Sequence, residues 1–160
     1  MSKQAGLSDD EVHVIKRNSD MVYRLAFSQM KNKEDTDDVY QEVFLRYIKY
    51  RVDFKSPEHE KAWFIRVTLN CCKTVFSSFW RTKVTELDDN FETAEIDTDD
   101  LSYALEKLPK KYNAVLHLFY YEDLSVEDIA EILKISQPNV RMLLTRARRK
   151  LKEIIEKEQS

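Results

Sequence analysis

The residues in this chain best equipped for chemistry lie near its C-terminal end. Gln137, Asn139, Arg141 and Thr145 fall within one short segment that opens at Ser136. Arg146, Arg148, Arg149 and Lys150 follow directly. Gln and Asn pair bidentately with adenine and Arg with guanine, so the first set carries what is needed to read base edges in duplex DNA. The second set suits phosphates, which supply affinity and register but no sequence code. The plainer alternative is a solvated basic helix end that complements the helix dipole.

A second constellation interleaves aromatics with cations: Trp63, Phe64, Arg66, Asn70, Lys73, Phe76, Trp80, Arg81 and Lys83. Rings stack on unpaired bases and cations follow the backbone, so this mixture suits single-stranded DNA. Arg66, Asn70 and Lys73 fall on successive turns of one helical face. For Trp63 and Phe64 a packed core is an equal reading, because large aromatics at helical spacing are usually interior. A third group, Asp38, Gln41, Glu42 and Phe44, sits on a helix whose Val39, Val43 and Phe44 can turn inward. The remaining carboxylates can dock a basic partner surface or simply face solvent.

Catalysis finds no support in the sequence. His13, His59 and His117 are scattered, and no metal-binding, nucleophile-elbow or phosphate-loop motif occurs. The expectation is a protein with no enzymatic activity, no cofactor and no metal. Cys71 and Cys72 are adjacent, a spacing that disfavours a disulfide, and fit reduced thiols packed partly inside. No cationic-then-apolar leader and no membrane-length apolar run stand out, which predicts a cytoplasmic protein without membrane insertion.

The elements that carry these groups read as helices. The chain has 1 Gly and 3 Pro in 160 residues, too few turn formers for a set of β-hairpins. Ser8 and Glu11 fit a capping box, and apolar residues recur from Val12 to Met30. A second helix follows from about Glu34 to Arg51. Ser56-Pro57-Glu58 opens a third that ends near Trp80. In the second half, helices begin near Asp99, at Pro109, after Ser125 and after Ser136. The last two form a helix-turn-helix over Leu124 to Leu151, with Ile129, Leu133, Ile135, Val140 and Leu144 as its core.

The net charge of -3 conceals an asymmetry. Glu86 to Asp100 is acidic and lacks Lys and Arg, whereas Lys134 to Lys157 is strongly basic. The expectation is an all-α chain of two small helical domains, 8–84 and 100–157, joined by an acidic flexible linker, 85–99.

Three stretches in order carry a family resemblance. Asp38-Val39-Tyr40-Gln41-Glu42-Val43-Phe44 is similar to a D-x-x-Q-E-x-F polymerase-binding stretch. Ala62 to Asn70 is similar to a W-[LF]-x-[RK]-[IV]-[AT]-x-N helix, and Leu108 to Tyr112 with Leu124 to Leu151 to a terminal helix-turn-helix region. Together they resemble the small extracytoplasmic-function group of sigma-70 factors of bacterial RNA polymerase, over roughly 10–155. The resemblance implies an N-terminal region 2 domain of three to four helices and a C-terminal region 4 domain of four helices.

It implies core RNA polymerase as partner through Asp38, Gln41, Glu42 and Phe44. It also implies promoter DNA, with the −10 element at Trp63, Arg66, Asn70, Lys73, Trp80 and Arg81. The −35 element would lie at Ser136, Gln137, Asn139, Arg141, Thr145, Arg146, Arg148 and Arg149. An anti-sigma protein is implied as regulator. Three positions depart from the family pattern: Thr74, Lys134 and Leu143 stand where Asp, Gly and a basic residue are common. A stand-alone operator-binding regulator and a sigma-like protein that no longer initiates are the alternative readings.

Overall fold

The computed structural model describes residues 6–87 and 100–159, with side chains for 6–74 and 104–157. The expected linker lies outside the described residues from 88 to 99. All regular elements among the described residues are helical.

Helix α1 (Asp9–Met30) starts from the expected capping box. The Glu11 N–H donates to Ser8 Oγ at 3.1 Å and the Ser8 N–H to Glu11 Oε1 at 3.0 Å. Asn32 caps α2 (Lys33–Tyr50) by accepting from the Asp35 N–H at 2.8 Å. Ser56 Oγ accepts from the His59 N–H at 3.0 Å where α3 (Pro57–Leu87) begins. Helix α3 passes Trp80, its expected end, because no Gly or Pro interrupts the chain before Leu87.

Helices α4 (Asp100–Lys107) and α5 (Lys110–Leu116) follow, and α5 runs into a π-helical turn, His117–Tyr121. The sequence predicts an uninterrupted helix there. Helix α6 (Val126–Leu133) is capped by Ser125, whose Oγ accepts from the Asp128 N–H at 3.0 Å. Helix α7 (Gln137–Gln159) completes the helix-turn-helix.

Scarcity of glycine leaves a mark on the helix ends. Lys31, Arg51 and Lys134 close α1, α2 and α6 in the left-handed region, at φ 66°, 49° and 62°. Each position costs roughly 1 kcal/mol relative to Gly. The backbone N–H of each still bonds a carbonyl one turn back, which offsets part of that cost.

In the N-terminal half, Val22, Leu25 and Ala26 of α1 meet Val39, Val43 and Tyr47 of α2 and Phe64, Ile65 and Thr68 of α3, all buried. Arg17 clamps Glu60 of α3 through two hydrogen bonds of 2.8 and 2.9 Å, and Asn18 adds a third at 2.7 Å. The Arg17 guanidinium holds the Glu60 carboxyl below the usual carboxylate range. In the C-terminal half, Leu108, Val115, Leu118, Ile129, Val140, Leu144 and Ala147 form the core. The buried residues of both halves join one hydrophobic cluster, because α1 packs on α4 and α5 while α3 packs on α6.

Candidate nucleic-acid and polymerase interfaces

Helix α7 presents two faces set by its 3.6-residue period. Val140, Leu144 and Ala147 are buried against α5 and α6. Pro138, Arg141, Met142, Thr145, Arg146 and Arg149 surround a shallow depression of about 550 Å³ on the opposite side. Gln137, Asn139 and the depression's residues are all exposed. Ser136 Oγ accepts from the Asn139 N–H at 3.2 Å, so Ser136 starts the helix and orients its first turn. Pro138 lies in that turn, where a missing N–H leaves no helical bond unmade. Gln137 Oε1 accepts from Arg141 Nη2 at 3.3 Å, which links two base-reading candidates on the surface. A helix of this build, basic outside and apolar inside, fits a major groove.

Arg148 is exposed and has partners of its own within the domain. Its Nε donates to the Tyr120 hydroxyl at 2.9 Å, and its guanidinium lies 5.7 Å from both the Phe119 and Tyr120 rings. The helical period places it two turns beyond Arg141 on the same exposed flank, next to the depression. Met142, which the sequence reading passed over, is 37% exposed within the depression. A methionine on the outer face of an otherwise basic helix was the available signal. Leu143 is half-buried and packs on the core, so its position lies off the outer face.

Helix α3 divides differently. Phe64 is fully buried, its ring 5.5 Å from both Phe44 and Tyr47. Trp63 is half-buried, edge-on to Phe54 and Phe64. It therefore serves the core in part and offers only one edge outward. Asn70 and Lys73 are exposed. Arg66 Nε donates to the Ile132 carbonyl at the end of α6, 3.2 Å away. Trp80 and Arg81 lie on the α3 backbone, and their side chains are outside the described residues. Thr74 Oγ1 donates to the Asn70 carbonyl at 3.1 Å, a local bond that an Asp there cannot make.

Asp38, Gln41 and Glu42 line a groove of about 500 Å³ between α2 and α3, together with Leu45, Arg46, Cys71 and Thr74. Glu42 accepts from Arg46 at 2.9 Å. Phe44 does not belong to this surface. It is buried, 5.0 Å from the Tyr40 ring and 5.5 Å from Phe64, because its place in the helical period points it into the core. Leu45, 60% exposed beside the acidic groups, is the apolar residue the surface offers instead. Its position one residue off the buried stripe was the signal. Cys71 and Cys72 are buried, and burial pushes the Cys72 thiol up to about 12, so neither is poised as a nucleophile.

A helical chain whose C-terminal helix-turn-helix turns a basic face outward has the build of a two-part DNA-binding protein. Residues 14–82 match sigma-70 region 2 and residues 98–151 match sigma-70 region 4. The chain is 33% identical over 135 residues to the RNA polymerase sigma factor SigV of Bacillus subtilis (strain 168), covering 78% of each. It is 27% identical over 161 residues to the ECF RNA polymerase sigma factor SigM of the same strain, covering 91% of this chain and 93% of that one.

The fold is similar to the sigma factor RpoE of Bartonella quintana, solved with the anti-sigma factor NepR, at a TM-score of 0.77 and 19% identity. That likeness covers 93% of this chain and 98% of RpoE and speaks to fold alone. The chain belongs to the sigma-70 family of RNA polymerase sigma factors, in its extracytoplasmic-function group. It binds core RNA polymerase and directs it to promoters through −10 and −35 elements.

Proposed function

We propose the following division of labour within the chain. The domain 8–84 engages polymerase and the −10 element, 100–157 engages the −35 element, and 85–99 joins them. The observation that carries this is the outer face of α7, where Arg141, Met142, Thr145, Arg146 and Arg149 stand exposed around one depression. Gln137, Asn139, Arg141 and Thr145 read −35 base edges, while Arg146 and Arg149 hold phosphates. On α3, Arg66, Asn70 and Lys73 track the melted −10 strand, with Trp63 and, further along, Trp80 and Arg81.

Asp38, Gln41 and Glu42 dock a basic polymerase surface, with Leu45 as the apolar anchor. The protein acts in the cytoplasm and supplies no catalysis of its own. An anti-sigma protein controls it, a reading supported by its structural likeness to RpoE, which was solved bound to one.

Reconstitution with core polymerase tests the reading. The wild-type chain co-purifies with core enzyme and drives run-off transcription from the promoters that sequencing of holoenzyme-bound DNA identifies. Asp38→Arg/Glu42→Arg abolishes co-purification but leaves the helical circular dichroism intact. A wild-type chain that fails to associate with core enzyme, or transcripts that survive Arg141→Ala/Arg146→Ala unchanged, would sink it.

A further inference from the structure

Helix α7 exposes Arg148, yet the guanidinium is already placed by its own domain. Its Nε donates to the Tyr120 hydroxyl at 2.9 Å. It also lies 5.7 Å from the centres of the Phe119 and Tyr120 rings, within cation–π range. Those rings meet edge to face, with centres 4.9 Å apart and planes at 82°, and so form a two-sided bracket. The π-helical turn supplies the bracket. The Glu122 N–H bonds the His117 carbonyl five residues back, and this wide turn sends Tyr120 towards α7 while the Tyr121 ring lies 5.1 Å from His117. Tyr120 is still 57% exposed, so the bracket stands open to a ligand. An exposed hydrogen bond exchanges with water and adds little to folding, so stability alone does not account for the pairing.

We propose that Tyr120 is a positioning residue for promoter binding: with Phe119 it fixes the Arg148 guanidinium so that its Nη groups meet a backbone phosphate of the −35 duplex. The inference rests on the −35 role proposed for α7 and deepens it. Arg148 stands seven residues beyond Arg141, roughly 10 Å along the helix axis and on nearly the same flank. A major groove is about 12 Å wide, so a side chain that far from the base-reading turn meets the phosphate wall of the groove rather than base edges. The donors agree with that placement. Nε is spent on Tyr120, and the Nη groups remain for a bidentate grip on phosphate oxygens. The partner is a neutral hydroxyl, which leaves the positive charge uncancelled. A free arginine loses many rotamers when a phosphate fixes it. The bracket settles the rotamer beforehand, so less affinity is lost on binding.

Binding of the full chain to a labelled random-sequence duplex tests this, because phosphate contacts do not depend on sequence. Anisotropy is read across a salt series, and thermal melting checks the fold. Tyr120→Phe keeps the ring and loses only the hydroxyl. It should weaken binding about fivefold, the worth of one hydrogen bond, with the melting midpoint nearly unchanged. Arg148→Ala should lower the slope of log affinity against log salt by about 0.9, one phosphate contact. Tyr120→Phe should leave that slope near wild type, because the charge stays. Arg148→Lys should behave like Tyr120→Phe: it keeps the slope but loses affinity, since an ammonium has no fixed fork to span hydroxyl and phosphate. Once Arg148 is Ala, Tyr120→Phe should cost nothing more.

Tyr120→Phe with wild-type affinity, with tighter binding, or with an equal loss in the Arg148→Ala background overturns the proposal. Tighter binding would mean that the hydroxyl competes with phosphate for Arg148. Failure of the underlying −35 reading appears separately, as an Arg146→Ala/Arg149→Ala chain that binds the duplex as tightly as wild type.

Discussion

Helices α3 and α7 carry the two residue sets proposed to read DNA, and they present them in opposite ways. The outer face of α7 points to solvent with its cations around an open depression. Arg66 of α3 instead spends a hydrogen bond on the end of α6. Both helices have the same ingredients, an apolar inner stripe and cationic positions a turn apart. What differs is which flank the rest of the chain covers. The comparison teaches that an amphipathic pattern predicts a face but not its availability.

The largest effects should come from the open face. Arg141→Ala/Arg146→Ala removes one proposed base contact and one proposed phosphate contact, and a good base pairing alone is worth roughly 1–3 kcal/mol. Transcription by the reconstituted holoenzyme should fall by about two orders of magnitude, with polymerase binding unchanged. Arg66→Ala should cost about tenfold in open-complex formation, read with permanganate, yet leave isolated −35 duplex binding unaltered. If the two variants proved interchangeable in these assays, the contrast between the helices would fail.

Packing of the two halves against each other should respond to pH. Where the halves pack, burial, reinforced by Lys31, draws the Lys110 ammonium down to about 8 from 10.5. Lys31 is lowered in the same direction by burial. Packing therefore sheds protons between those two values, and the packed form gains as pH rises through that window, by up to about tenfold per unit for one proton. Below that window Lys110 is charged in both forms and contributes no pH dependence. Energy transfer between dyes at positions 16 and 157 should rise from pH 8 towards pH 10. A flat profile would separate Lys110 from the domain contact.

Smaller effects probe the recognition helix and its turn. Lys134→Gly relieves a φ of 62° and should stabilise the chain by roughly 1 kcal/mol. Thermal melting should show it as a rise of a few degrees, and an unchanged or lowered midpoint would exclude strain at that turn. Met142→Ala should have the least consequence, confined to one base. If its methyl and thioether meet a thymine methyl, replacing that thymine by uracil should cost wild type about fourfold, near 0.8 kcal/mol, and cost the variant nothing.

Local signals gave the helix starts away correctly. Ser8 with Glu11, Ser56 before Pro57, and Ser125 all act near where they stand, because a cap needs only its own first turn. The helix-turn-helix was legible for the same reason, since its core repeats at a fixed period over Ile129 to Leu144. Phe44 was assigned to a surface it does not form. Its place in the sequence motif suited binding, but the packing of its ring against Phe64 turned it into the core. Leu45 and Met142 were missed because a lone exposed apolar residue resembles noise until its neighbours are known.

Composition and periodicity were enough to establish an all-helical chain in two parts, the helix-turn-helix, and a basic end set against an acidic stretch. Each of those properties is read within a few turns of one helix. Burial of Glu122 was not readable this way. A carboxylate between His117, Arg24 and Lys61 exists only when a π-helical turn from one half meets two helices from the other. Contacts between residues far apart along the chain depend on how faces pack, and no short-range pattern encodes that choice.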